Sequence, residues 1–258
     1  MLVDSHCHLN RLDYDLHGDI HTILERARNK QIEKFLCIAT SLESFAEIHL
    51  MAEQHSDVFC TAGVHPLQKN QEDIDYELLI EQGRHSKVVA IGETGLDYYY
   101  SADNASWQKK ALISQIKAAK ELSKPLIIHS RDAREDTLEI LADEKADQVG
   151  GILHCFTESY DMAKKAIDMG FYISFSGIVT FKTADSLRDV ARKLPLDRIL
   201  VETDCPWLAP VPYRGKENQP VYTVEVAKHL AEVLSISYEE LCNQTTENFY
   251  RLFPLCKI

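Results

Sequence analysis

Two histidines open the sequence at a spacing that can bind metal. His6 and His8 lie in LVDSHCHLN, where the neighbouring residues Leu2, Val3 and Leu9 are typical of a buried strand. Residues two apart in a strand point to the same face, so both imidazoles point to one side. Two imidazoles on a buried face would leave polar nitrogens unsatisfied unless something bound them. The pair therefore indicates a metal site.

The same residue types follow later apolar runs, in the segments GVHP, IGETGLD, IIHSR, LHCF and VETDCP. A single histidine in such a place is more often an ordinary core or turn residue than a ligand. Four histidines and two carboxylates together predict a dinuclear centre, because a carboxylate can bridge two cations. We expect one ion to be held by His6, His8 and Asp204, and the other by His129 and His154, with Glu93 as the bridge.

The chemistry that this ligand set favours is hydrolysis. Mixed nitrogen and oxygen ligands suit Zn²⁺ or Mn²⁺, whereas Mg²⁺ alone would prefer fewer imidazoles. Two such ions lower the pKa of a shared water and give a metal-bridging hydroxide as the nucleophile. The cysteines beside the ligands alternate with them along the chain and are expected in the core; they are Cys7, Cys155 and Cys205.

Eight short apolar runs alternate with amphipathic stretches. Continuous apolar strands between helices indicate a parallel sheet, and eight such units in 258 residues fit an α/β fold of the (β/α)8 TIM-barrel class. An open doubly wound sheet is the alternative. The predicted strands are Leu2 to Leu9, Lys34 to Thr40, Val58 to Val64, Val88 to Gly92, Pro125 to His129, Gly151 to Phe156, Phe171 to Ser176 and Arg198 to Glu202.

Helices are predicted between the strands and after the last one. Apolar residues three and four apart mark Asp103 to Leu122 and Tyr160 to Met169, and two extra C-terminal helices are expected at about Tyr222 to Leu234 and Tyr238 to Phe253. No repeat or Gly/Ser linker divides the chain, so residues 1–258 are predicted to form a single domain.

Composition limits the partners. A formal net charge of -12 argues against non-specific binding of long nucleic acid, which requires a basic surface. No run reaches the roughly 18 apolar residues of a membrane span, and the N-terminus lacks a signal-peptide pattern, so we expect a cytoplasmic protein. The seven cysteines contain no Cys-x-x-Cys pair, which argues against a zinc ribbon. No obligate protein partner is indicated, and a monomer is expected.

Further motifs make the sequence similar to a known family. The segments DSHCHL, GVHP, GETGLDYYY, HSRDA, LHCFTE, VETDCPWLAP and RGKENQP occur in the order of the TatD family of metal-dependent hydrolases and deoxyribonucleases, within the amidohydrolase-like barrels. The resemblance implies a TIM barrel with two divalent metals and 3′-to-5′ exonuclease activity on phosphodiester bonds. It implies the same six metal ligands that their positions after the apolar runs predict. One departure is Cys205, where the family usually has serine; this puts the positioning of Asp204 in question.

Several neighbouring residues have two interpretations each. His65 is predicted to donate a hydrogen bond to a phosphate or leaving group, or else to stabilise its turn. Glu202 is predicted to orient or deprotonate water together with Asp204, to bind a third ion, or to support a ligand histidine. Phosphate contacts are expected from Arg131, Arg214 and Lys216, unless these are simply solvated. Tyr98, with Tyr99 and Tyr100, offers a stacking surface for bases or caps the barrel.

Three functions follow from these residues. The favoured one is two-metal hydrolysis of single-stranded DNA or other nucleic-acid ends, with a narrow acidic pocket that takes one strand terminus. The second is hydrolysis of a small ester or amide, or of acylated transfer RNA, because the same ligands could activate water against carbon. The third is a metal-binding module without turnover, which the mixed carboxylate site on an exposed rim disfavours.

Overall fold

The computed structural model of the protein describes residues 1–68 and 73–257. Within these residues the backbone forms one eight-stranded sheet in the order β1-β2-β3-β4-β5-β6-β7-β8. All eight predicted strands are confirmed. They are β1 (Leu2–Cys7), β2 (Ile32–Cys37), β3 (Val58–Ala62), β4 (Val88–Asp97), β5 (Leu126–Arg131), β6 (Gly151–Leu153), β7 (Phe171–Phe175) and β8 (Ile199–Val201).

Helices separate the strands, and two more follow the last strand. They are α1 (Tyr14–His17), α2 (Ile20–Arg28), α3 (Phe45–Gln54), α4 (Tyr76–Gly83), α5 (Tyr98–Ser101), α6 (Ala105–Leu122), α7 (Arg134–Asp143), α8 (Tyr160–Asp168), α9 (Asp185–Lys193), α10 (Thr223–Leu234) and α11 (Tyr238–Leu252). A sequential strand order with parallel neighbours is the (β/α)8 topology, whereas a doubly wound sheet reverses its order partway. The TIM-barrel fold class is therefore confirmed and the doubly wound alternative is wrong.

Strand β4 is longer than predicted. The apolar run ends near Gly92, yet the strand continues through GETGLD because β5 pairs with it as far as Asp97 and Arg131. Gly95 pairs with His129 at φ +141°, and a Cβ at this position would lie 1.9 Å from the His129 carbonyl oxygen. Only glycine allows so close an approach, so a residue that resembles a turn signal belongs to the strand.

The chain divides into two compact units. The first comprises residues 1–37, 155–160 and 173–258. Its strand β1 is buried at all six positions, and α11 packs on β1 and β8 through apolar residues such as Leu241 and Phe249. The Ser237 side chain caps α11 by accepting a hydrogen bond from the Glu240 amide. Burial on this scale leaves a polar residue of β1 no water to contact.

The second unit comprises residues 38–154 and 161–172. Strands β3, β4 and β5 pair in parallel, and α6 packs on β4 with Leu112 and Ile116 fully buried. Two buried glutamines of α6, Gln108 and Gln115, bond to the strand ends and are described with the site. The prediction of a single domain over residues 1–258 stays a prediction.

No helix in the described part of the chain is both long and apolar enough to cross a membrane.

Candidate metal centre

The first ligand set lies in the first unit and joins β1 to the turn after β8. His6 and His8 are almost fully buried, and their Nε2 atoms lie 3.2 Å apart. The Oδ1 atom of Asp204 lies 3.6 Å from Nε2 of His6 and 3.5 Å from Nε2 of His8. Donor atoms bound to one ion at about 2.1 Å lie roughly 3.0 to 3.4 Å apart, so the three donors approach the spacing of a single coordination sphere.

Asp204 is held by hydrogen bonds on both sides. Its amide donates to the His6 carbonyl at 2.9 Å, and the His8 amide donates to the Cys205 carbonyl at 2.9 Å. The backbone of Asp204 has a positive φ of 56°, which aspartate tolerates better than most residues. Strand β1 and the turn therefore fix each other, and the side chain of Cys205 takes no part in either bond.

Two further polar residues brace the same turn. The buried carboxylate of Asp4 accepts hydrogen bonds from the Thr203 amide at 2.9 Å and the Thr203 hydroxyl at 2.6 Å. The buried amide of Asn218 donates to the carbonyls of Thr203 at 2.8 Å and Trp207 at 2.7 Å. These bonds bracket Asp204 in the chain. These hydrogen bonds hold the turn around Cys205 in its shape.

The second ligand set lies in the second unit and centres on Glu93. Its Oε1 atom lies 2.8 Å from Nε2 of His154, 3.3 Å from Nδ1 of His129 and 3.2 Å from Nε2 of His65. Nε2 of His154 and Nδ1 of His129 are 3.4 Å apart. His65, Glu93 and His129 can together hold an ion, because one donor atom from each lies within 4.8 Å of the others. His65 thus joins the predicted ligands around one carboxylate.

Asp97 orients the imidazole of His129. Its Oδ2 atom lies 2.9 Å from Nε2 of His129, so that the other nitrogen, Nδ1, points to Glu93. A carboxylate behind a ligand histidine fixes its tautomer and raises its basicity. Asp97 falls within the segment IGETGLD, but no role is predicted for it from the sequence. The signal was available, because Glu93 and Asp97 are four residues apart and share a face of the strand.

The electrostatics of this set follow from burial and hydrogen bonds. Burial lowers the pKa of His65 and favours its neutral imidazole. Its Nδ1 accepts a hydrogen bond from the Leu67 amide at 3.0 Å, so the ring proton lies on Nε2, which faces Glu93. Burial also acts to lower the pKa of His129, but hydrogen bonds to Asp97 and Glu93 outweigh it and the pKa is raised. For Asp97, burial alone would raise the pKa, and the bonds from His129 and the Tyr100 amide lower it overall. Asp97 is therefore ionised beside His129.

Helix α6 holds the strand ends that carry these ligands. The Gln115 side chain accepts from the Val64 amide at 2.8 Å and donates to the Val64 carbonyl at 2.9 Å and the Thr94 hydroxyl at 2.7 Å. Two helical turns before Gln115, the Gln108 side chain accepts a hydrogen bond from the Asp97 amide at 2.7 Å. Both glutamines are fully buried, so the positions of His65, Glu93 and Asp97 depend on a helix that supplies no ligand.

The other predicted site residues also contact protein groups. Glu202 is fully buried and accepts a hydrogen bond from the Cys155 amide at 2.7 Å. Arg131 lies over the rings of Tyr99 and Tyr100, and the Tyr98 hydroxyl donates a hydrogen bond to the Asp136 carboxylate at 2.6 Å.

The loop that carries the other two predicted cations lies in the first unit. Arg214 lies over the Phe181 ring at 3.6 Å, and Lys216 is 6.0 Å from the centroid of Tyr213. Both side chains are exposed. Their predicted contact with phosphate stays a prediction.

Comparisons with known proteins identify the family of this chain. The family profile described as TatD related DNase matches residues 3–254. The chain is 50% identical over 255 residues to the uncharacterized metal-dependent hydrolase YcfH of Escherichia coli K12, covering 98% of this chain and 96% of that protein. It is 33% identical over 267 residues to the putative deoxyribonuclease TATDN3 of Mus musculus, covering 98% and 88%.

A solved structure has the same fold over the same length. The crystal structure of YJJV, a TatD homologue from Escherichia coli K12, superposes with a TM-score of 0.92 at 30% identity and covers 98% of each chain. The profile match spans nearly the whole chain, and the ligand residues lie within it. The chain therefore belongs to the TatD family.

Proposed function

We propose that this protein is a divalent-metal-dependent hydrolase of phosphodiester bonds, acting as a 3′-to-5′ exodeoxyribonuclease on single-stranded DNA ends. The observation that carries the proposal is that, in each ligand set, imidazole nitrogens lie within 3.6 Å of one carboxylate oxygen. Membership of a family described as TatD related DNase, and likeness to a putative deoxyribonuclease, support the choice of substrate.

Two ions per chain are part of the proposal. One would be held by His6, His8 and Asp204, the other by His129 and His154, with Glu93 bridging them. In a (β/α)8 barrel the C-terminal ends of the strands carry the active site, which is the fold-level reason to assign both sets to one centre. Zn²⁺, Mn²⁺ and Mg²⁺ are the candidates. Such ions supply Lewis acidity toward water and neutralise charge that develops on phosphate oxygens.

The chain's own residues would then position the reactants and move protons. Asp204 or Glu202 accepts the proton of the attacking water, since both are carboxylates at the end of β8. His65 donates a hydrogen bond to the phosphate or the leaving group. Arg131, Arg214 and Lys216 offset the charge of a phosphate in a protein whose net charge is -12, and Tyr98 contributes an aromatic ring for a base.

The experiment that tests this function compares substrate classes on one preparation. The metal-loaded protein is incubated with a single-stranded oligonucleotide, with aryl esters and amides, and with acylated transfer RNA. We expect hydrolysis of the oligonucleotide. Turnover of esters, amides or acylated transfer RNA alone would replace the proposal with the amidohydrolase alternative, and turnover of none by a metal-loaded chain would favour the binding module.

The compartment and the assembly are proposed from the sequence alone. We propose a cytoplasmic monomer with a single domain over residues 1–258, without an obligate protein partner.

A further inference from the structure

An exposed cluster of two tyrosines and one arginine lies next to the second ligand set. Tyr99 and Tyr100 belong to the short helix α5, and their side chains are 59% and 65% exposed. Their rings meet edge to face with centroids 4.7 Å apart. The guanidinium of Arg131 lies 4.1 Å from the Tyr99 centroid and 4.8 Å from the Tyr100 centroid. We refer to these three residues as the tyrosine platform.

Arg131 forms no ion pair within the described residues, although its positive charge helps to lower the pKa of the Asp97 carboxyl. Over positions 1–68 and 73–257, the side-chain contacts of its guanidinium are those with the two rings, with no ion pair. A guanidinium that rests its flat face on aromatic rings keeps its N–H donors at the edge, where they can bind an anion in a fork. In a chain of net charge -12 this is a cation available to a phosphate.

The platform is attached to the residue that orients a proposed ligand. Asp97 accepts a hydrogen bond from the Tyr100 amide through Oδ1 at 2.8 Å, and its Oδ2 lies 2.9 Å from His129. Arg131 is two residues after His129 on β5 and pairs with Asp97 in the sheet. The rings and the guanidinium are therefore fixed relative to His129 and Glu93, as a substrate subsite must be.

Exposed aromatic rings beside a guanidinium that forms no ion pair match one class of ligand. A nucleotide offers an aromatic base for the ring and a phosphate for the guanidinium, and each stacked base contributes about 1 to 3 kcal/mol. A small ester or an isolated phosphate uses only part of this surface. The tyrosines are also more accessible than Tyr98, whose hydroxyl is bound to Asp136.

We propose that the tyrosine platform binds one nucleotide of a single strand, with its base stacked on Tyr99 or Tyr100 and the adjacent phosphate held by Arg131. This inference rests on the proposed nuclease function and specifies its substrate as a strand that carries bases.

The test measures binding separately from catalysis. The metal-loaded full-length chain is titrated by fluorescence anisotropy with two single strands joined by slowly hydrolysed phosphorothioate linkages. One is a thymidine pentamer and the other is the same backbone with abasic residues. The wild type is compared with Tyr99→Ala/Tyr100→Ala, with Arg131→Gln and with Tyr238→Ala, which removes a partly exposed tyrosine from α11.

The platform predicts a different pattern for each variant. Loss of both rings weakens binding of the thymidine strand by about 5- to 150-fold and changes binding of the abasic strand little. Loss of Arg131 weakens both strands, because both carry phosphate. The Tyr238 variant binds like the wild type, and Tyr99→Phe/Tyr100→Phe restores the affinity that the double alanine variant loses.

Each contrary outcome has one meaning. If the double alanine variant binds the thymidine strand as the wild type does, or loses both strands equally, the platform is refuted. Ordinary DNA incubated with the same preparations tests the function separately. Intact DNA together with the predicted binding pattern would overturn the nuclease assignment and keep the platform, whereas cleavage without the pattern would do the reverse.

Discussion

In the candidate metal centre, Oδ2 of Asp97 lies 2.9 Å from Nε2 of His129, and Nδ1 of the same ring faces Glu93. The carboxylate and the imidazole belong to neighbouring strands, β4 and β5, which are paired at this point. One strand therefore supplies Glu93 on one side of the ring and Asp97 on the other. The tautomer of His129 depends on both.

Asp97→Asn is expected to weaken metal binding at the second ligand set by about 10- to 100-fold. Asparagine keeps an acceptor for the Tyr100 amide but can present an N–H to Nε2 of His129, which favours the wrong tautomer. Competition with a chromogenic chelator measures the affinity. Asp75→Asn changes an exposed helix cap of α4 in the same way and should leave the affinity unchanged. Equal affinities in all three proteins would show that Asp97 does not orient a ligand.

His6→Ala/His8→Ala is expected to reduce the metal content from two ions per chain to one. The substitution removes two of the three donors of the first ligand set and leaves Glu93, His129 and His154 in place. Elemental analysis after gel filtration gives the stoichiometry, with His21→Ala/His229→Ala as a matched double variant of histidines away from both ligand sets. A wild-type content of one ion, or an unchanged content in the variant, would contradict two separate ligand sets.

The stability of the metal-free protein is expected to depend on pH through Asp4. Burial raises the pKa of Asp4 to about 7, although hydrogen bonds from Thr203 act to lower it. In the unfolded chain the value is near 3.8, so between these pH values the folded state binds the extra proton. The stability contribution of protonated Asp4 is full below pH 4 and is lost as the pH rises through 7.

Asp4→Asn removes this dependence, because asparagine keeps the shape of the neutral acid. The free energy of unfolding of the variant, relative to the wild type, should rise between pH 4 and pH 8 by up to something on the order of 4 kcal/mol. Urea unfolding of both proteins with chelator present, at pH 4, 6 and 8, measures it. A difference that stays constant with pH would mean that Asp4 is ionised in the folded protein.

Asn218→Ala is expected to destabilise the turn that carries Asp204. The change leaves two carbonyls, those of Thr203 and Trp207, without their buried donor, which costs about 1 to 3 kcal/mol for each group. The midpoint temperature of thermal unfolding and the metal content at the first ligand set should both fall. Asn243→Ala, an exposed position on α11, is the matched control. Loss of stability with unchanged metal binding would limit Asn218 to a structural role.

Cys205→Ser, which introduces the serine that the resemblance implies at this position, is expected to change metal affinity less than twofold. The hydrogen bonds that hold the turn come from backbone atoms and from Asp4 and Asn218, none of which involves the Cys205 thiol. The chelator competition used for Asp97 measures this. A large gain in affinity would show that the thiol weakens the positioning of Asp204.

The periodicity of apolar residues is sufficient to predict the strands and the shared direction of His6 and His8, because alternation in a strand is a local property. It is insufficient for the far end of β4, where pairing with β5 extends a strand through two glycines that resemble turn signals. The supporting residues Asp4 and Asn218 are equally hard to predict. Their partners are distant in the chain or depend on side-chain direction, and a polar residue in sequence carries no mark of which partner it binds.

Adjacent residues of the same type can also differ in their contacts and exposure in the fold. Three consecutive tyrosines follow Asp97, and the first bonds to Asp136 while the next two lie under Arg131. From the sequence, Tyr98 is predicted to bind substrate, because nothing in the segment YYY distinguishes the three tyrosines. The helical turn of α5 distributes the three rings over different directions, which only the fold determines.

The measurement that tests the central claim most directly is shortening of a 5′-labelled single-stranded DNA by metal-stripped protein to which Mg²⁺, Mn²⁺ or Zn²⁺ is restored in turn. We expect a ladder of products shortened from the 3′ end that requires the metal and is absent with His6→Ala/His8→Ala. Intact DNA in the presence of a chain that has bound two ions would contradict the claim that this centre hydrolyses phosphodiesters.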